Sequence, residues 1–142
     1  MKILFICWAN VGRSQMAATF YNHMTNTTDA ESAGTEASDA GITLQERRDR
    51  RGGGTYVIDV MHEEGIDISQ NMCRQLTESM LPKYDRIISM AQLEYTPQWL
   101  SQYSKYEYWP VIDPGGKGFE DTKRAMVEIK ERVKQLINEN PS

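Results

Sequence analysis

Lys2-Ile3-Leu4-Phe5-Ile6-Cys7 is a short apolar run that breaks directly into Trp8-Ala9-Asn10-Val11-Gly12 and then into Arg13-Ser14, where a new periodicity begins. A continuous apolar stretch of this length, cut by Asn and Gly, predicts a buried strand. Met16, Phe20 and Met24 recur every four residues with Ala17 beside them, which predicts a helix from Arg13 to about Met24. Strand, tight loop and helix in that order are the opening of an α/β fold. The rest of the chain continues the alternation. Asp29–Ala33 reads as a weak second strand ended by Gly34 and Thr35, Arg86–Met90 as a third, and Tyr106–Ile112 as a fourth, placed at an edge by Pro110. Helices are expected with Tyr56, Val57, Val60 and Met61 on one face and an end at Gly65, over Glu78–Leu81 behind Thr77, over Pro97–Leu100 and from about Glu120 to Ile137. Residues 35–54 carry an arginine-rich run ending in Gly52-Gly53-Gly54 and read as a long polar loop, which either gates a site, attracts acidic substrates or is simply solvated. The expected architecture is a four-stranded parallel sheet flanked by helices on both faces, in one domain over residues 1–142, with a phosphate-binding loop after the first strand.

Composition narrows the partners. Net charge is −4, and 25% of residues are charged against 39% hydrophobic, so neither nucleic acid nor a membrane surface is an expected partner. The apolar start is shorter than a secretory core and no stretch approaches a membrane span, which points to a cytoplasmic setting. Two cysteines do not make a disulfide scaffold.

In open α/β sheets, sites form at the carboxyl ends of strands, and Cys7, Met90 and Asp113 all fall at such ends. The start of a helix leaves backbone N–H groups unpaired, and a loop feeding into it can wrap them round an anion. Residues Trp8, Ala9, Asn10, Val11, Gly12, Arg13 and Ser14 would supply that cradle, with Gly12 lending freedom of φ and Asn10 suited to a left-handed turn. The Arg13 fork matches two oxygens of a phosphate held over the Cys7 sulfur. The same positive field favours the thiolate, the nucleophilic form. Ser14 is placed to donate a hydrogen bond to that sulfur. By composition alone, Cys-x5-Arg-Ser arises by chance in roughly one chain in a hundred of this length, and rarely between a strand and a helix. Asp113-Pro114, followed by Gly115, Gly116 and Gly118, supplies a candidate general acid on a segment free to move.

Cys7-x-x-Asn10-x-x-Arg13-Ser14 with Asp113-Pro114 far downstream resembles the low-molecular-weight protein tyrosine phosphatase family and its arsenate-reductase-like branch. Arg13-Ser14-Gln15-Met16-Ala17 is closer to that branch, and Ser32–Thr35, Gly65–Ser69, Arg74–Leu76 and Tyr84–Met90 are similar to family landmarks in order. The resemblance implies that Cys7 is the nucleophile, that Arg13 and the loop amides hold the transferring group, that Asp113 is the general acid and then base, and that Ser32 braces Asn10. It implies a phosphorylated protein or small molecule as substrate, phosphate-like oxyanions as ligands, and neither metal nor cofactor. His23 and His62 fit no ligand cluster.

The departures matter as much. Gly12 stands where family phosphatases often carry a second cysteine. Gly115 and Gly116 stand where an aromatic wall for a phosphotyrosine ring is usual, so Trp8 is either a replacement wall or a core residue. A histidine usual near Gln70 is absent, leaving Gln70 or Asn71 to brace the loop. The arsenate-reducing branch needs further cysteines after the third strand, and residues 91–99 hold none. Cys73, the only other thiol, reads as a buried residue. Hydrolysis of phosphate monoesters is therefore the first expectation. Arsenate reduction with an external thiol or redoxin is the alternative, and a cysteine phosphocarrier is a third class.

Overall fold

The computed structural model describes residues 1–53 and 55–140. Its strands are β1 (Ile3–Cys7), β2 (Ala30–Gly34), β3 (Arg86–Ser89) and β4 (Tyr106–Tyr108), all parallel in the order β2-β1-β3-β4. Its helices are α1 (Arg13–Thr25), α2 (Leu44–Arg50), α3 (Val57–Glu63), α4 (Gln98–Ser101) and α5 (Phe119–Glu139), with 3₁₀ turns over Glu78–Lys83 and Leu93–Tyr95. The expected α/β sheet is the one found.

Every residue of β1 is buried because the strand lies centrally and both faces are covered. Ile3 and Phe5 point to a core built with Met16 and Phe20 of α1, Val60 and Met61 of α3, and Met126, Ile129 and Val133 of α5. Leu4 and Ile6 point the other way, onto Leu76, Leu81, Tyr84 and Leu100. The period-two alternation of a strand thus feeds two cores. The long helices occupy one face, and short turns cover the other. No helix among the described residues is long and apolar enough to cross a membrane.

Three expectations need correction. Residues 35–54 are not one loop: Leu44–Arg50 is helical, capped by the Thr43 hydroxyl accepting from the Glu46 N–H at 3.1 Å and anchored by the buried Leu44. Gly54, at the end of the expected loop, and residues 141–142 lie outside the described residues. The fourth strand stops at Tyr108 rather than Ile112. The Trp109 N–H still reaches the Ser89 carbonyl at 2.8 Å, but Pro110 has no N–H to continue the ladder. Tyr56 precedes α3 rather than joining its apolar face, and is exposed edge-on to Phe119.

Candidate active site

Because the chain leaves β1 toward β2 and leaves the neighbouring β3 toward β4, the connections at their carboxyl ends run in opposite directions and open a crevice there. Cys7 ends β1 at that crevice, and residues 8–12 carry the chain from it into α1. Among the described residues, no backbone N–H from Trp8 to Ser14 finds an acceptor within the protein, whereas the Met16 N–H is already tied to the Gly12 carbonyl. A run of unpaired amides at a helix start is a nest for an oxyanion.

Of the two residues expected to shape the loop, Asn10 takes the left-handed turn and Gly12 does not need its freedom of φ. Gly12 has φ −113°, and a Cβ there would meet nothing within 4 Å, so its conformation does not require glycine. The left-handed residue is Asn10, at φ 58°. The glycine the loop depends on is Gly34, at the end of β2. A Cβ on it would lie 2.7 Å from the Trp8 carbonyl oxygen and 2.8 Å from the Asn10 nitrogen, both backbone atoms that cannot move aside.

Beneath the loop the polar side chains form a directed chain. Asn10 Nδ2 donates to Ser32 Oγ at 2.9 Å and to Ser14 Oγ at 2.8 Å. Having accepted from an amide that can only donate, the Ser14 hydroxyl has its own proton left for Cys7 Sγ, 3.0 Å away. Asn10 Oδ1 accepts from the Arg74 N–H at 2.7 Å and from Gln15 Nε2 at 3.3 Å. Gln15 Oε1 in turn accepts from Asn71 Nδ2 at 3.3 Å, so Asn71 joins the brace while Gln70 reaches only the neighbouring Ser69. Asn10 and Ser14 are fully buried and lie under the cradle; their side chains do not line it.

Arg13, only 3% exposed, opens α1. Its Nη1 donates to the Met90 carbonyl and, at 3.0 Å, to the Val111 carbonyl, pinning it to the ends of β3 and the β4 extension. Its Nη2 lies 3.0 Å from Gln92 Oε1 and 3.6 Å from Asp113 Oδ2. Nη1 is therefore spent on structure, while Nη2 faces Gln92 and Asp113. Gln92, which sequence reasoning passed over, spans the gap by donating to Asp113 Oδ2 at 3.3 Å. Its signal was positional: it stands two residues past Met90, the expected end of the third strand, in the same crevice. Asp113 Oδ1 accepts from the Gly115 N–H at 2.8 Å, turning the carboxyl inward from a partly exposed loop.

Cys7, Arg13 and Asp113 meet in one cavity of about 360 Å³, with Trp8, Ala9, Val11 and Gly12 on its floor and wall. Trp8 belongs to neither core: it stacks on Tyr95 at 4.6 Å between centroids, and its indole N–H is held by Glu36. Arg47, Arg51, Tyr56 and Lys117 line the same cavity. Among the described residues no set of three His, Cys, Asp or Glu side chains is gathered for a metal.

Cys73 is buried, and burial above all, with Asp39 adding to it, pushes its thiol up to about 11. It should stay unmodified by iodoacetamide at pH 8 in the folded protein and react once the chain is unfolded, as peptide mass spectrometry would read. Because its folded value lies above its unfolded one, its contribution to stability is full below about pH 9 and is lost as pH rises toward 11.

A thiol at a strand end, a run of unpaired amides and a buried arginine give the site the arrangement of the cysteine-loop class. The chain belongs to the low molecular weight phosphotyrosine protein phosphatase family, which it matches over residues 2–140. A glutaredoxin arsenate reductase of Synechocystis sp. is 30% identical over 139 residues, 96% of this chain and 95% of that protein. An arsenate reductase 2 of Staphylococcus epidermidis is 28% identical over 136 residues, 94% of each. Among solved structures, the low molecular weight protein tyrosine phosphatase from T. tengcongensis gives a TM-score of 0.78 at 25% identity, covering 98% of this chain and 99% of that one. An arsenate reductase in the phosphate binding state gives 0.71 at 28% identity, covering 98% of each.

Proposed function

We propose that this chain is a phosphatase that hydrolyses phosphate monoesters through a cysteinyl-phosphate intermediate. The observation that carries the reading is the convergence of Cys7, the unpaired loop amides, Arg13 and Asp113 on one cavity. The Cys7 thiolate attacks phosphorus in line, the ester P–O bond breaks, and the leaving oxygen takes the proton of Asp113. Water then attacks the phosphocysteine and gives its proton to Asp113, and the P–S bond breaks to release inorganic phosphate and restore the thiolate. The loop amides and the Nε and Nη2 edge of Arg13 hold the three equatorial oxygens through both steps. Ser14, braced by Asn10 and Ser32, donates to the sulfur and makes it a better leaving group in the second step.

Wild-type protein should hydrolyse an aryl phosphate, and Asp113→Asn should slow it by roughly two to three powers of ten. The loss should grow as the leaving phenol becomes more basic. A loss equal for good and poor leaving groups would remove Asp113 from proton donation.

One observation favours a second reading: similar relatives are named arsenate reductases. Cys7 would form a thiol–arsenate adduct in the same nest. An external thiol would then attack the sulfur, expelling arsenite and leaving a mixed disulfide on Cys7, which a second thiol reduces. Two thiols are thereby oxidised for each arsenic reduced from the +5 to the +3 state. Arsenate offered with glutathione and glutaredoxin, or with thioredoxin, separates the readings. Sustained consumption of reductant would place arsenate first.

A further inference from the structure

The transfer just described uses Arg13 and Asp113 and leaves three cations on the same cavity unexplained. Arg47, Arg51 and Lys117 all line it, in a chain whose net charge is −4. Arg47 and Arg51 are one helical turn apart and present the same face. They share a single carboxylate, Asp39, whose Oδ2 accepts from Arg47 Nε at 2.9 Å and Arg51 Nη2 at 2.8 Å. One negative charge cannot neutralise two guanidiniums. Lys117, from the loop that carries Asp113, makes no ion pair among the described residues. Arg47 is also held by Thr55 Oγ1 and is mostly buried, so its guanidinium is set before any ligand arrives. The nest and Arg13 suffice for one phosphoryl group, so the remaining positive charge serves something else on the same ligand.

We propose that Arg47, Arg51 and Lys117 form a second anion subsite in the cavity they share with the Cys7 loop, selecting phosphate monoesters that carry another anionic group, a carboxylate or a phosphate, on the leaving portion. The segment after Asp113-Pro114 fits this: Gly115 and Gly116 line the cavity without side chains, and Lys117 follows them. The subsite deepens the phosphatase reading but concerns binding, so it can be tested apart from turnover.

The test compares 4-carboxyphenyl phosphate with its uncharged near-isostere 4-carbamoylphenyl phosphate, titrated calorimetrically into the Cys7→Ser protein at low salt. The carboxylate should bind about tenfold more tightly, a preference that shrinks as salt screens the half-exposed Arg51. Adding Arg51→Gln and Lys117→Gln together should bring the two ligands to within about twofold. Replacing the pair by Arg51→Lys and Lys117→Arg should restore most of the preference. Equal binding of the two esters, binding of neither, or a preference indifferent to the double glutamine change overturns the subsite. If wild type hydrolyses neither ester while the preference stands, the hydrolytic reading falls and the subsite survives. Hydrolysis of both esters with no preference in binding removes the subsite and leaves the hydrolytic reading standing.

Discussion

Cys7→Ser is expected to keep the fold and lower aryl phosphate turnover by roughly four powers of ten or more, the scale of losing a covalent nucleophile. The replacement changes one atom at a buried site whose hydrogen-bond partner, Ser14 Oγ, serves a hydroxyl as well as a sulfur. Folding should therefore be nearly unaffected. Chemistry should not be, because a serine hydroxyl is a far weaker nucleophile than a cysteine sulfur in this position. Initial rates measure the loss. The rise in melting temperature caused by inorganic phosphate should persist, since the amide nest and Arg13 are intact. Acid-quenched wild type should show a phosphate adduct on the peptide bearing Cys7. A Cys7→Ser protein that retains wild-type rate, or an adduct on another residue, moves the nucleophile elsewhere.

The sheet and the reacting loop were legible because they are written locally. An apolar run, a break and a four-residue periodicity sit side by side in residues 2–24, and no distant contact is needed to read them. The pairing of Ser32 with Asn10 followed from family likeness, and the two side chains lie within hydrogen-bond distance. What escaped depends on tertiary approach. Gly34 looks like an ordinary strand end until the backbone of residues 8–10 is laid against it. Gln92 has no motif, and its place between Arg13 and Asp113 exists only because β3 lies beside β1. The helix over Leu44–Arg50 did leave a local trace, Thr43 three residues before Glu46, but a dense run of arginines and glycines masked it. The pairing of Arg47 and Arg51 was not legible because their shared carboxylate, Asp39, lies outside the helix and is brought to them by the turn at Gly41.

Arg13→Lys should cost both stability and rate, and separating the two tests what the fork is for. Lysine keeps the charge but not the planar spread of donors. It cannot reach the Met90 and Val111 carbonyls with one arm while presenting a flat edge to the ligand with the rest. Leaving buried carbonyls without their partner costs roughly 1–3 kcal/mol, a melting temperature lower by on the order of 5–10 °C. Turnover should fall further, by about three to five powers of ten, because a charge built on the equatorial oxygens loses a bidentate partner. The phosphate-induced rise in melting temperature should shrink as well. A purely structural arginine would predict something different: rate recovering once the protein is assayed well below its new melting point, with the phosphate effect unchanged. Arg13 ties down the Met90 and Val111 carbonyls and, on the proposed reading, the ligand with one planar group, so the same substitution should lower stability, binding and turnover together, with turnover falling most.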